Sequence, residues 1–164
     1  PIGIIDIGFR TVDIMYIGIG AKGPVSLSKY SGSLEESGMN RALQLAAEMA
    51  SQECKRTIRP ETIEKALLVK GYGGKIPGTD RNVTPIWSRA CKKLAQSIIS
   101  DIKRMWSDAI NDLTVIKVTG GGGKDLYEYI KAEIANVTLQ DDPIYANANG
   151  YHAAAAIKRK AKTA

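Results

Sequence analysis

The spacing of apolar positions changes several times along this chain, and each change marks an expected element. From Ile2 to Ile17 (IGIIDIGFRTVDIMYI) the short spacing and β-branched content predict two strands, separated by a turn at Gly8-Phe9-Arg10. Pro24 to Tyr30 alternates and completes a three-stranded meander, and Ser31 to Ser37 reads as a polar loop. The period then lengthens: Met39, Ala42, Leu43, Ala46, Met49 and Ala50 share one face of a helix running from Gly38 to Arg56. Pro60 and Glu61 suit the first turn of a short helix that turns Ile63, Leu67 and Leu68 inward. Lys70 to Pro77 (KGYGGKIP) reads as a flexible surface loop; it lacks the Gly-Lys-Ser/Thr ending of a Walker phosphate loop. Thr84-Pro85 is placed to cap a long helix reaching about Ile110, with a core stripe from Trp87 and Cys91 to Met105 and Ala109.

Leu113 to Thr119 (LTVIKVT) is a β-branched strand of the buried kind. Four glycines, Gly120 to Gly123, follow it, and helical spacing resumes over Lys124 to Ile134. Asn136 to Leu139 is a last short strand. Asp142-Pro143 offers an N-cap and first-turn proline for a final helix carrying Ile144, Ala148, Tyr151 and the run Ala153 to Ala156. Asn147 and Gly150 are poor helix formers inside that helix, and close approach of another backbone would account for the glycine.

Composition narrows the class. With 24% charged and 44% hydrophobic residues the chain is globular, and 164 residues suit one domain or one lobe of a larger protein. No run approaches a membrane span, so the expected partners exclude membrane and the expected location is cytoplasmic. Cys54 and Cys91 lie inside helical patterns without disulfide or metal spacing and read as buried, reduced thiols. A single histidine, His152, gives little material for a zinc site or a Ser-His-Asp triad. The net charge of +6 is scattered apart from Lys158, Arg159, Lys160 and Lys162, a cluster better suited to a helix C-terminus than to direct nucleic-acid binding.

Two stretches carry candidate chemistry. In the opening hairpin a strand delivers Asp6 beside a glycine turn, with a second acid at Asp13. Turn amides converging beside that carboxylate make a phosphate cradle facing a metal ion or a water; a hairpin with solvated acids fits the same residues. The second stretch is strand, polyglycine turn, helix, which brings bare backbone and a helix N-terminus against a ligand. A plain connection needs fewer than four glycines.

The order of elements, three meander strands, helix, strand, helix, strand, helix, resembles the ribonuclease-H-like lobe that occurs twice in actin, sugar kinases and the heat-shock chaperone ATPases. DIGFRTVD resembles the second phosphate loop of that superfamily, VTGGGGKDL its adenosine motif, and DDPIYANANGYHAAA its second connecting helix. Within it, the chain is most similar to actin-like ATPases of the ParM/StbA plasmid-segregation type. The resemblance implies an α/β lobe over 1–37 and 111–164, with 38–110 as an inserted, mainly helical subdomain. It implies ATP (or GTP) with Mg: Asp6 holds the metal through water, and the backbone of Gly8, Phe9, Arg10 and Thr11, with the Thr11 hydroxyl, binds the β- and γ-phosphates. Gly120, Gly121, Gly122 and Gly123 pass under the α-phosphate and ribose, while Glu64 and Lys65 flank the ribose and adenine. Phe9-Arg10 departs from the glycine-rich form of the loop.

The implied function is that of the second lobe of a filament-forming ATPase, acting in plasmid or DNA segregation or a related cytoskeletal task. The implied partners are further copies, the first lobe of the same protein and a DNA-binding adaptor. A small-molecule kinase of the superfamily and a non-polymerising scaffold are the alternatives. The first phosphate loop belongs to the other lobe, expected upstream of Pro1, so an excised or proteolysed piece would explain a start without methionine.

Overall fold

The computed structural model describes residues 1–21, 23–68 and 74–153. A mixed sheet is built from β1 (Ile2–Ile7), β2 (Val12–Gly20), β3 (Gly23–Ser26), β4 (Gly32–Leu34), β5 (Val115–Thr119) and β6 (Val137–Leu139). The strand order is β3-β2-β1-β5-β6, with β4 also on β2. β1 runs antiparallel to β2 and parallel to β5, and β5 runs parallel to β6, so the C-terminal ends of β1, β5 and β6 lie along one edge. Helices α1 (Met39–Cys54), α2 (Pro60–Leu68), α3 (Val83–Trp106) and α4 (Gly123–Lys131) follow, and residues 146–153 are helical.

Alternation decides which strand residues enter the core. Ile5 and Ile7 of β1, Val12, Ile14 and Tyr16 of β2, and Ile116 and Val118 of β5 are buried, while the residues between them are partly exposed. They form one hydrophobic cluster with the stripes of α1 (Ala42, Ala46, Ala50), α3 (Ala90, Leu94, Ile98, Ile102) and α4 (Leu126, Ile130). Each fully buried isoleucine or leucine contributes roughly 1.5–3 kcal/mol. Trp106, fully buried at the end of α3, donates its indole N–H to the carbonyl of Tyr30 at 2.8 Å and lies where a Cβ on Gly3 would stand, 2.7 Å from the ring.

Several expected boundaries move. The third meander strand comes in two pieces, because the Ser31 hydroxyl accepts from the Tyr16 amide at 3.0 Å and donates to the Leu27 carbonyl at 2.9 Å. A side chain thus replaces a ladder partner, residues 28–30 turn as a 3-10 helix, and the expected polar loop pairs again with β2 as β4. The cap of α3 is Asn82, whose side chain accepts from the Thr84 amide at 2.7 Å. That helix stops at Trp106 instead of Ile110, where Ser107 adopts a positive φ and a 3-10 turn begins. In α2, Ile63 and Ala66 are buried, but Leu68 faces out. α4 ends at Lys131, short of Ile134.

Within the expected flexible loop, residues 69–73 lie outside the described residues, while Ile76 is fully buried and Lys75 pairs with Asn82. Asp142 is no N-cap: it sits at φ +48°, and the helix begins at residue 146. Among the described residues, a Cβ on Gly150 would meet nothing within 4 Å, so no close backbone there explains that glycine. Ile144 and Tyr151 are exposed. Ala154 to Ala156 and the basic cluster at 158–162 lie outside the described residues.

The cysteines also divide. Cys54 is only partly buried, whereas Cys91 is buried and its environment, with the Asp125 carboxylate adding to desolvation, pushes the thiol up to about 12. Alkylation of the native protein at pH 8, followed by mass spectrometry, should therefore modify Cys54 and leave Cys91 unmodified until the protein is denatured.

Candidate functional site

The site is assembled where β1 and β5 end side by side. Asp6 is in register with Thr119 on one side and Asp13 on the other. In the next residues the two chains approach closely: Gly122 donates to the Ile7 carbonyl at 2.9 Å. Gly120 has φ +84°, and a Cβ there would lie 2.4 Å from both Asp6 Oδ1 and the Ile7 carbonyl oxygen. Gly122 is packed as tightly, against Ile7 and Met39. Gly121 differs, since a Cβ on it would meet nothing within 4 Å among the described residues. The glycine run thus presents one open position between two clamped ones, and Gly123 starts α4.

The β1–β2 turn is held from behind by the start of α1. Gly38, Met39 and Asn40 donate their amides to the carbonyls of Arg10, Gly8 and Phe9 at 3.1, 3.0 and 2.8 Å. These contacts cap a helix that has no side-chain cap. A Cβ on Gly38 would stand 2.6 Å from Phe9 backbone, so glycine permits the contact. In a trans peptide the N–H points opposite to the preceding carbonyl, so the amides of Phe9, Arg10 and Thr11 are turned away from α1. The Gly8 amide is spent inside the turn, on the Thr11 carbonyl at 2.9 Å. Of the four turn amides expected to face a ligand, three have no hydrogen-bond acceptor among the described residues.

A cleft of about 570 Å³ opens beside this junction. Phe9, Met39, Leu43, Leu67, Leu68 and Trp87 give it apolar walls; Gly121 and Gly122 edge it, and Glu64 and Asp125 are its carboxylates. Phe9, 57% exposed, projects into it from the turn. The indole N–H of Trp87 donates to Asp125 Oδ1 at 3.2 Å, which satisfies the ring's one polar atom and ties α3 to α4. Glu64 lines the cleft; the neighbouring Lys65 is exposed and does not.

Known proteins are similar to this chain in sequence family and fold. The archaeal MreB-like actin homologue C-terminal family matches residues 4–132, more than three quarters of the chain. The chain belongs to this family. Among solved structures, it is 31% identical to a non-polymerisable quadruple mutant of pCBH ParM, with a TM-score of 0.78 over 92% of this chain and 45% of that one. It is 30% identical to the subunit of a 15-stranded ParM filament from Clostridium botulinum, with a TM-score of 0.77 over 92% of this chain and 44% of that one. The archaeal actin homologue Ta0583 in complex with ADP shares the fold at 21% identity, with a TM-score of 0.76 over 94% of this chain and 49% of that one. No curated protein sequence matches. The chain spans about half the length of the solved relatives, as a second lobe does.

This actin-like lobe also uses residues that periodicity did not single out as site residues. Asn147 Nδ2 donates to Asp6 Oδ2 at 2.7 Å across 141 positions of sequence. The Pro143 carbonyl accepts from the Gly120 amide at 3.0 Å and from the buried Thr119 hydroxyl at 3.1 Å, closing the end of β5. Trp87, read as a core residue, is also a wall of the cleft. The advance signals were Asn147 itself, a poor helix former within a helical pattern, and the likeness of the stretch 141–155 to a connecting helix.

The two kinds of glycine give a direct test. Gly120→Ala should cost about 2–3 kcal/mol in denaturant unfolding, from positive-φ strain and the clash with Asp6 and Ile7. Gly121→Ala should stay within about 0.5 kcal/mol of the parent.

Proposed function

We propose that this chain is the nucleotide-binding second lobe of a filament-forming actin-like ATPase, and that the cleft takes ATP or GTP. The observation that carries this reading is the junction of the β1–β2 turn, whose Phe9, Arg10 and Thr11 amides are turned away from α1, with the glycine edge beside Asp6, at a cleft that Phe9, Gly121 and Gly122 line with apolar walls. Amides arranged in that way suit phosphate oxygens, and the apolar walls suit a base. The amides of Phe9, Arg10 and Thr11, with the Thr11 hydroxyl, hold the β- and γ-phosphates in this reading. Gly121 lies under the α-phosphate and ribose, between the clamped Gly120 and Gly122, and Gly123 leads into α4. Glu64 lines the ribose and base side, with Lys65 at its outer rim, on a segment (38–110) acting as the inserted subdomain.

Asp6 fits a magnesium ion held through water. Mg²⁺ keeps several waters and uses one or two carboxylates together with substrate phosphates, and Asp6 is one such carboxylate beside the cradle. When bound, the ion would supply positive charge that offsets that of the phosphates. Asp6 itself positions a water, and the turn amides orient the terminal phosphate. Stabilising the transferred phosphoryl group needs donors on its other side, which in this reading come from the first lobe.

Assembly with further copies follows from the same reading, supported by the ParM filament among the similar structures. The task is plasmid or DNA segregation, or a related cytoskeletal role, with DNA reached through an adaptor protein. Titration calorimetry of this lobe alone should give weak Mg-ATP binding without turnover; micromolar affinity with turnover would overturn the half-site assignment. In the full-length protein, Asp6→Ala should abolish nucleotide-dependent sedimentation while circular dichroism stays native.

A further inference from the structure

We infer that Asn147 is the positioning residue for Asp6 and that it ties the start of the last helix to the state of the site. The inference rests on the nucleotide reading above and gives Asn147 a role that reading does not assign to it. An ionised carboxylate only accepts hydrogen bonds, so the Asn147 atom facing Asp6 at 2.7 Å is the amide nitrogen. The other oxygen, Oδ1, lies against the bare Cα of Gly120, where a Cβ would come within 2.4 Å. Both oxygens of one planar group are therefore located, one by a donor and one by a missing side chain. The plane of the carboxylate is set before any ligand arrives.

Position in the fold makes this more than a local contact. Asp6 ends β1, and Asn147 is the second residue of the helical stretch 146–153. The chain between β6 and that helix is already fastened to β5 through the Pro143 carbonyl. Beyond that anchor, the Asn147 amide is the hydrogen bond that joins the helix to the site carboxylate. A ligand that draws on Asp6 therefore changes the partner of this helix, and by linkage a change in the helix alters affinity at Asp6. Asn147 is exposed, so replacing it removes no core packing.

The test uses the full-length protein and two variants, Asn147→Ala and Asn147→Asp. ADP affinity is measured by calorimetry with Mg²⁺ and, separately, with chelator. Hydrogen exchange of residues 146–153 is followed with and without Mg-ADP. Partners of this kind typically change metal affinity by 10–100-fold, so Asn147→Ala should weaken Mg-ADP about tenfold and leave metal-free ADP unchanged. Asn147→Asp, which adds a like charge, should weaken Mg-ADP further. Protection of 146–153 should respond to Mg-ADP in the parent and not in either variant. Equal Mg-ADP affinity and an equal exchange response in Asn147→Ala would overturn the role of Asn147 while leaving the nucleotide site standing. A parent protein that binds no Mg-ADP would overturn both.

Discussion

The site depends on how closely the end of β5 can approach the end of β1. Two parallel neighbours bring their C-terminal turns to the same edge, but side chains normally keep those turns apart. Here Gly120 and Gly122 remove that barrier, and the Gly122 amide closes on the Ile7 carbonyl. Asp6, one residue earlier, is therefore drawn into the junction instead of standing free on a hairpin. A larger residue at either glycine would push the two turns apart and dissolve the edge of the cleft. The isoleucines of β1 and the valines of β5 place the strands; the two glycines decide whether the strand ends form a site.

A second economy concerns helix α1. Its first amides need acceptors, and in the proposed nucleotide site the β1–β2 turn needs its carbonyls facing away from the phosphates. One set of hydrogen bonds, from Gly38, Met39 and Asn40 to Arg10, Gly8 and Phe9, meets both needs. The helix N-terminus is consequently not itself an anion site; its donors are used to orient another set. The same bonds hold the backbone of Phe9 and Arg10 from behind, while both side chains are exposed.

The cleft shows how a core stripe and a cleft wall can be the same residues. Met39, Leu43 and Trp87 belong to the hydrophobic cluster and also face the open space. Trp87 does both because its ring packs in the core while its N–H is satisfied by Asp125 on α4. Helical spacing reports that such a residue faces inward. It does not report whether the space it faces is filled.

Much of the molecule was legible in its residues. The meander, the long helix, the buried strand before the glycines and the order of these elements follow from apolar spacing, because burial imposes a period of two on a strand and 3.6 on a helix. The candidate positions Asp6, Gly8 to Thr11 and Gly120 to Gly123 followed from turn chemistry at strand ends. Boundaries set by single side-chain bonds did not follow: Ser31 splits the third strand, and Asn82 begins α3. Nor could residues read singly tell that Gly8 spends its amide within the turn, that Gly120 and Gly121 have opposite surroundings, or that Asn147 reaches Asp6. Local pattern records how each element is buried along its own axis. Which atoms meet across more than a hundred residues is decided by strand order and register, and those exist only once the sheet has formed.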